Sequence, residues 1–172
     1  MSSPSSTTLK RLSVSPAERD ALECRAATDA ADLAAHFRLR RRVFVDEQGL
    51  FSPDDRDAHD EDSRTIHIVG LVGDEVTGAV RIYPLDEAAA LWKGDRLAVA
   101  AERRTNHLGA ALVRFAVATA GGRGGRRMIA QIQLPNVAFF EHLGWSAEGE
   151  PKPFVGVDHQ LMSIGLRPRP PR

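Results

Sequence analysis

Residues 96–112 read Arg96-Leu-Ala-Val-Ala-Ala-Glu-Arg-Arg-Thr-Asn-His-Leu-Gly-Ala-Ala-Leu112, a short apolar strand followed by a polar loop and the start of a helix. Such a junction points several free backbone N–H groups, and the positive end of the helix dipole, at one spot. A pyrophosphate fits there, and Gly109 allows the backbone to approach it closely. An ordinary strand-to-helix turn has the same pattern, so these residues alone leave both interpretations open.

The helix after this loop is predicted to begin at Leu108 and to end at Gly121-Gly122, because glycine ends helices at little cost. Its apolar face follows the helical repeat and comprises Leu108, Ala111, Leu112, Phe115 and Ala116. Beyond it, the pattern predicts a strand at 128–133, a short helix at 136–142 and a final strand at 159–166.

The chain before the loop is richer in strands. Residues 65–72 and 76–84 are β-rich runs joined by Gly73-Asp74-Glu75, which indicates a hairpin. Short strands are also predicted at 22–27 and 95–99. An antiparallel front half followed by strand–helix–strand units predicts an α+β fold, in which helices pack on a mixed sheet.

The first predicted helix carries one charge on its apolar stripe. Thr28 or Asp29 can cap its start, because either side-chain oxygen can accept a hydrogen bond from the first turn. The stripe comprises Leu33, Ala34, Phe37 and Phe44. Arg41 falls on this stripe, where a charge is costly unless it is paired. We therefore expect Arg41 to be buried against an acidic partner from 57–62; the alternative is that it extends to solvent.

Composition narrows the class of protein. Lys plus Arg and Asp plus Glu both total 23, so no net basic field attracts nucleic acid or an anionic membrane. The one cysteine, Cys24, excludes an intramolecular disulfide and a cysteine metal cluster, and no metal is expected. Neither a membrane-spanning run nor a secretory signal is recognisable. We expect a cytoplasmic domain at 21–166, between a disordered segment at 1–20 and a Pro/Arg-rich tail at 167–172.

Two segments together resemble the GNAT superfamily of acyltransferases. The acyl-CoA loop of that family runs Gln/Arg, two residues, Gly, any residue, Gly/Ala, and Arg104, His107 and Gly109 stand in those places. Asn136-Val-Ala-Phe-Phe-Glu-His-Leu-Gly-Trp145 is similar to its later signature of Asn, an aromatic pair, a charged residue and Leu-Gly-aromatic. The resemblance covers about residues 22 to 166 and implies the GNAT fold.

The front half is similar to a bacterial GNAT branch with a Val-Phe-x-x-Glu-Gln signature. It has Arg42-Val-Phe-Val-Asp-Glu-Gln48, then the acidic residues 57–62, then His67-Ile-Val. The branch often ends in Gly-x-Pro-His-x-x-Met; here Gly156-Val-Asp-His-Gln-Leu-Met162 has Asp158 in place of the proline. More narrowly, the chain resembles acyltransferases described as nitrogen-starvation-associated and encoded beside a nitrilase.

The resemblance implies that acetyl-CoA, or another acyl-CoA, is the cosubstrate. The strand at 97–99 would separate from its neighbour, pair with pantetheine amides and offer a backbone N–H to the thioester carbonyl. Arg103 and Arg104 would steady the phosphates, unless they are simply solvated. The implied cofactor-binding residues are Leu97, Ala98, Val99, Arg103, Arg104, Thr105, Asn106, His107, Leu108, Gly109, Ala110, Asn136, Phe139 and Phe140.

Transfer to an amine requires a base, because an ammonium group has no lone pair and amine pKa values lie near 10. Glu47 is the first candidate, since it lies just past the first helix, where the family's acceptor cleft opens. His159 on the last strand is the second. Both also have structural interpretations: Glu47 as a carboxylate at a helix end and His159 as a buried structural histidine.

Two residues depart from the family pattern. His107 replaces the first glycine of the loop, so its side chain must point outward unless the backbone there avoids positive φ. Phe140 stands where many relatives have a tyrosine that protonates the leaving thiolate. A thiolate with a pKa near 8.5 can leave unaided, and Tyr83 is an alternative donor.

Three functions fit these residues. The first is an N-acyltransferase acting on the amine of a small molecule, with a homodimer as one possible assembly. The second is an enzyme similar to acyl-homoserine-lactone synthases, whose motifs are echoed by 40–44, by Asp57 and Asp60, and by Gly78-Ala-Val-Arg81. The third is a non-catalytic acyl-CoA sensor, which Phe140 and His107 favour.

Overall fold

The chain forms a mixed eight-stranded sheet with helices against it, in a computed structural model that describes residues 20–168. The strands are β1 (Leu22–Ala26), β2 (Ile66–Val72), β3 (Glu75–Asp86), β4 (Leu91–Val99), β5 (Arg127–Gln133), β6 (Ser146–Ala147), β7 (Lys152–Phe154) and β8 (Val157–Gly165). Their order is β1-β2-β3-β4-β5-β8-β6, with β7 on β8, and only β4 and β5 run parallel. The predicted α+β class is confirmed; the predictions for 1–19 and 169–172 lie outside the described residues.

Three α-helices accompany the sheet: α1 (Ala30–Arg40), α2 (Leu108–Gly122) and α3 (Val137–His142). The α1 helix starts at Asp29, whose side chain accepts a 2.8 Å hydrogen bond from the Asp32 N–H. It continues into a π-helical segment, Arg41–Glu47. Single 3-10 turns occupy Ala58–Glu61, Ala101–Arg103 and Leu134–Asn136. Within residues 20–168, no helix combines the length and apolarity needed to cross a membrane.

The main core lies between α2 and the sheet. Leu108 and Leu112 are fully buried there against β2 and β3. A Cβ atom at Gly78 would lie 2.6 Å from Leu112 Cδ1, so glycine at this position lets the helix approach the sheet closely. Val80 and Ile82 of β3 belong to this core, whereas Ala79, on the opposite face of the strand, packs in a smaller cluster with residues of α1 and the π-helical segment.

The predicted stripe of the first helix is wrong in register. Arg41 is exposed and donates to the Pro53 carbonyl (3.0 Å), whereas Arg40 is fully buried. The buried face contains His36 and Arg40, polar residues that a hydrophobic pattern cannot identify. His36 Nδ1 donates to the Ile68 carbonyl (3.1 Å), so the sheet satisfies it. The wider π-helical turn after Arg40 also changes which later residues share the face.

Arg40 lies in a buried network of charges between α1 and the sheet. Its guanidinium bonds Asp55 (2.7 Å) and Asp60 (2.6 Å). Arg81 of β3, also fully buried, bonds Asp57 (2.7 Å) and Asp95 (2.8 Å). The acidic partner was therefore correctly predicted within 57–62, although the arginine was not. The network fixes the segment that follows the π-helix against β3 and β4.

Candidate active site

Strands β4 and β5 separate partway along their length. They pair at only three positions, from Leu91–Arg127 to Lys93–Ile129. Beyond these pairs, β4 continues along β3 to Val99, and β5 continues along β8 to Gln133. The facing edges of residues 94–99 and 130–133 therefore do not pair with each other, and a cleft opens between them.

A β-bulge in β4 contributes to this separation. Between Ala79↔Ala98 and Arg81↔Asp95, the register with β3 shifts by one residue. Arg96 lies in the bulge with φ 53°, an uncommon value for a residue with a side chain. A bulge bends the strand that carries it, here at the point where β4 leaves β5. The Arg96 guanidinium is fixed by the Asp55 carbonyl (3.0 Å).

The amino-terminal end of α2 lies beyond the carboxyl end of β4. The entry loop (residues 100–107) joins the two, and His107 ends it with φ 66° and an exposed side chain. The first intrahelical bond runs from the Ala111 N–H to the His107 carbonyl (3.1 Å). The Gly109 and Ala110 N–H groups precede that bond and are available to an acceptor outside the helix. Free N–H groups at a helix amino terminus can bind an anion, and an anion site here stays a prediction.

Other residues of the entry loop hold its shape. Asn106 Oδ1 accepts a 3.3 Å hydrogen bond from the Leu108 N–H, so Leu108 is less available to a ligand. Arg104 Nε donates to the Val99 carbonyl (3.1 Å), which ties the loop to the end of β4. Thr105 is exposed, and Arg103 is half-buried with Nη2 3.7 Å from Glu75. Both arginines lie beside the helix terminus with their charges partly in solvent.

The 3-10 turn before α3 and α3 itself form another wall of the cleft. A Cβ atom at Gly109 would lie 3.7 Å from both Phe139 and Val99, so the start of α2 lies close to α3 and to the end of β4. Asn136 borders the cleft and is exposed. Phe139 is partly exposed, whereas Phe140 is buried and packs edge-to-face on Trp145 (5.4 Å between ring centroids). The structure thus brings the two predicted motifs together.

The cleft continues as a cavity into the main core. Its mouth is bordered by Leu97, Gln133 and Asn136, and its interior by Val80, Ile82, Val113, Ala116, Met128 and Ala130. These interior residues belong to the core beneath α2. Phe44, Leu50 and Phe51 border the opposite side. The opening between β4 and β5 therefore leads from a polar surface into an apolar interior.

His159 lies at this cleft with one ring nitrogen available. It is buried, borders the cavity and pairs with Gln133 across the β5–β8 ladder. Its Nδ1 lies 2.7 Å from the Val157 carbonyl. Because a carbonyl only accepts, Nδ1 carries the proton and Nε2 keeps a lone pair. The geometry suits proton acceptance at Nε2.

Glu47 occupies a different position. It ends the π-helical segment, and its carboxylate pairs with Arg104 at 2.6 Å. The hydrogen bond from Arg104 lowers the pKa of Glu47 below its ordinary value. Glu47 is not among the residues that border the cavity, although its neighbour Gln48 reaches the rim by accepting from Gln133 Nε2 (3.1 Å).

Tyr83 is buried and stacks on His59, with ring centroids 4.0 Å apart. Burial raises the pKa of its phenol, and Asp95 adds to this effect. Like Glu47, Tyr83 does not border the cavity. The structure therefore gives no contact between this hydroxyl and the cleft where it was considered as a proton donor.

Sequence reasoning missed two features of the site. The Arg96 bulge has no signal in residue type, because arginine rarely adopts positive φ. Gly94, which borders the cavity, offered a signal that was not used: glycine in the interior of an apolar strand often marks a bulge or the close approach of a ligand.

Known structures share this architecture. A candidate N-acetyltransferase from Lactobacillus plantarum superposes with a TM-score of 0.76 at 24% identity, over 85% of this chain and 99% of that chain. Escherichia coli ElaA superposes with a TM-score of 0.74 at 23% identity, over 83% of this chain and 99% of ElaA. The CoA-dependent acyl-homoserine lactone synthase BjaI superposes with a TM-score of 0.68 at 21% identity, over 85% of this chain and 83% of BjaI. At these identities the likeness establishes the fold.

The sequence itself establishes the family. Residues 30–145 match the model of the acetyltransferase (GNAT) family, and the match spans more than half of the chain. It includes β4, the entry loop, α2 and α3, which form three sides of the cleft. On this match, together with the GNAT fold, the chain belongs to the acetyltransferase (GNAT) family.

Proposed function

We propose that this protein transfers an acyl group from an acyl-CoA to an amine of a small molecule, by direct attack within a ternary complex. The observation that carries the proposal is the separation of β4 from β5 beside the amino-terminal end of α2. One end of this arrangement suits an anion and the other an apolar group. An acyl-CoA combines both in one molecule, because a pyrophosphate and an acyl thioester lie at opposite ends of its pantetheine arm.

The two ends of the cleft would bind different parts of the cosubstrate. The Gly109 and Ala110 N–H groups would donate to the pyrophosphate, with Arg103 and Arg104 beside them. The unpaired edge of residues 97–99 would hydrogen-bond the pantetheine amides, as strands do with each other. Asn136, at the end of the 3-10 turn, and Phe139 of α3 would contact the same arm.

His159 is the base that the geometry favours. Its Nε2 has a lone pair at the cleft, so it can take the proton that the amine must lose, directly or through a water molecule. Glu47 is already paired with Arg104 and lies outside the cavity wall. We therefore assign proton acceptance to His159, whereas Glu47 is the ion-pair partner of Arg104.

The leaving sulfur needs no acid from this protein. Phe140 borders the cavity where relatives have a tyrosine, and a thiol pKa near 8.5 makes the thiolate a competent leaving group at neutral pH. A backbone N–H at the free edge of β4 would polarise the thioester carbonyl. The narrower bacterial branch and the cytoplasmic location remain predictions.

A thiol-release assay tests the proposal. The protein is mixed with acetyl-CoA and with longer acyl-CoAs over a panel of small amines, and free thiol is followed with time. Amine-dependent thiol release that falls in a folded Gly109→Val protein supports the proposal. Tight acyl-CoA binding without thiol release on any amine would instead indicate the sensor.

The second candidate is an acyl-homoserine-lactone-synthase-like enzyme. It is favoured by the buried network that joins Asp57 and Asp60 to Arg40 and Arg81, the residues that echo the motifs of those synthases. The CoA-dependent synthase BjaI also shares the fold. Acylated lactones formed from an acyl-CoA and S-adenosylmethionine would select this candidate over transfer to a free amine.

A further inference from the structure

Gly94 of β4 has no conformational need to be glycine. Its φ lies outside the left-handed region. A Cβ atom built there would lie 3.4 Å from Met128 Sδ and 3.8 Å from Ile82 Cγ2, which are ordinary contact distances. Glycine in a strand interior weakens the strand and often marks a place where a ligand approaches closely. We therefore attribute the glycine at this position to a ligand that lies beside it.

Gly94 lies at a point of the cleft where a ligand can approach it. It is the first residue of β4 after the last β4–β5 pair, so it stands where the cleft begins. The missing Cβ would point towards Met128 and Ile82, and both residues border the cavity. A larger side chain at this position would extend into the cavity beside Met128 and Ile82.

The cavity beside Gly94 extends well past the start of α2. Val113 and Ala116 border it, and they follow Leu108 by five and eight residues. At 1.5 Å per residue, they lie about 7 and 12 Å along the helix axis. The cavity volume is about 130 Å³, comparable to apolar cavities of roughly 150 Å³ that bind benzene. This volume includes the mouth of the cleft, but an acetyl group has only a methyl beyond its carbonyl and would leave part of the apolar interior empty.

We propose that Gly94 keeps open an apolar subsite for the alkyl part of the acyl group, and that the preferred donor is an acyl-CoA with about four to six acyl carbon atoms. This inference rests on the proposed acyl transfer and specifies its donor. The alkyl chain would reach Gly94 from the cleft and lie between β3, β5 and α2. Gly94 is thus a specificity-determining residue for chain length.

Calorimetry with coenzyme A and with acetyl-, butyryl- and hexanoyl-CoA tests this inference without a known amine. Each buried methylene contributes about 0.8 kcal/mol, or roughly fourfold in affinity. We expect butyryl-CoA to bind the wild-type protein at least about tenfold more tightly than acetyl-CoA. Gly94→Val should abolish this gain and change the acetyl-CoA affinity by less than about twofold. Gly94→Ala, a milder change, should reduce the gain and serves if Gly94→Val does not fold.

The control is Gly165→Val in β8, because a Cβ atom at Gly165 meets nothing within 4 Å and its φ is also not positive. This variant should keep the gain of the wild-type protein. Equal affinities for acetyl- and butyryl-CoA in the wild type, or an equal loss for every thioester in Gly94→Val, would overturn the inference and leave acyl transfer intact. Failure of coenzyme A itself to bind would overturn the proposed function and the inference together.

Discussion

Arg104 Nη1 lies 2.6 Å from a carboxylate oxygen of Glu47, so the entry loop of α2 is joined to the end of the π-helical segment. One partner of this pair belongs to the proposed phosphate site and the other was the first candidate base. A phosphate group arriving at α2 would compete with Glu47 for the same guanidinium. The pair therefore links occupancy of the proposed phosphate site to the end of the π-helical segment.

Replacing Glu47 by Gln should leave catalysis in place and strengthen binding of coenzyme A. The change frees Arg104 and removes a negative charge near the phosphates. Because both side chains are partly exposed, the gain should be small, about twofold to fivefold. Calorimetry gives the affinity and the thiol-release assay gives kcat. A collapse of kcat in a folded Glu47→Gln protein would restore Glu47 as the base.

Replacing His159 by Gln should lower kcat by about 10²–10⁴-fold, the usual contribution of general base catalysis. His142→Gln, at the exposed end of α3, is the matched control and should behave like the wild type. A folded His159→Gln enzyme with the wild-type kcat would show that another group accepts the proton.

Arg40 and Arg41 should differ sharply in their contribution to stability. Arg40→Met removes one cationic partner from two buried carboxylates, Asp55 and Asp60, which keep Arg96 and Arg81 respectively. The change should therefore cost up to about 3–5 kcal/mol in the free energy of unfolding, the range for a broken buried pair. Arg41→Met removes an exposed guanidinium and should cost less than about 0.5 kcal/mol. Chemical denaturation of both proteins measures the difference. Equal losses in the free energy of unfolding would mean that Arg40 in the buried network stabilises the fold no more than an exposed arginine does.

The protein should lose stability as the pH falls below about 6.5. Burial lowers the pKa of His36 from 6.5 to about 3, and the nearby His67 and Arg40 add to this effect. Burial also lowers the pKa of His67, although Asp60 opposes it. A histidine with a lowered folded-state pKa stabilises the fold above its unfolded pKa, because below that pKa the unfolded chain binds the proton more readily.

His36 alone should account for a loss of about 2 kcal/mol between pH 6.5 and pH 5. The measurement is the free energy of unfolding at pH 7.5 and pH 5.0 in the wild type and in His36→Gln, which keeps a donor for the Ile68 carbonyl. We expect a smaller loss in the variant. Equal losses in both proteins would contradict the assignment of this pH dependence to His36.

The sequence correctly predicted the elements that depend on residues close together in the chain. The hairpin at Gly73 and the helix from Leu108 to Gly122 follow from turn residues and an apolar repeat, and both are present. The strand predicted at 95–99 begins four residues earlier, at Leu91, because pairing with β3 extends it. Long-range pairing of this kind has no signature within the strand itself.

The errors have a common physical cause. Arg41 was preferred to Arg40 because the repeat was aligned on the phenylalanines of the first helix, whereas the buried face carries polar residues such as His36. Arg40 is buried because Asp55 and Asp60, distant in sequence, satisfy it. In the same way, the pairing of Glu47 with Arg104 depends on how the entry loop folds back onto the π-helical segment. Residue type identified the participants of the site, and the tertiary fold decided their partners.

The most direct test of the account is a crystal structure of the protein with acetyl-CoA or butyryl-CoA. We predict that the pyrophosphate accepts hydrogen bonds from the Gly109 and Ala110 N–H groups, and that the pantetheine arm lies between residues 94–99 and 130–133, with the alkyl chain of butyryl-CoA reaching Gly94. A thioester bound elsewhere on the protein, or a complex in which the β4–β5 cleft is empty, would contradict the central claim.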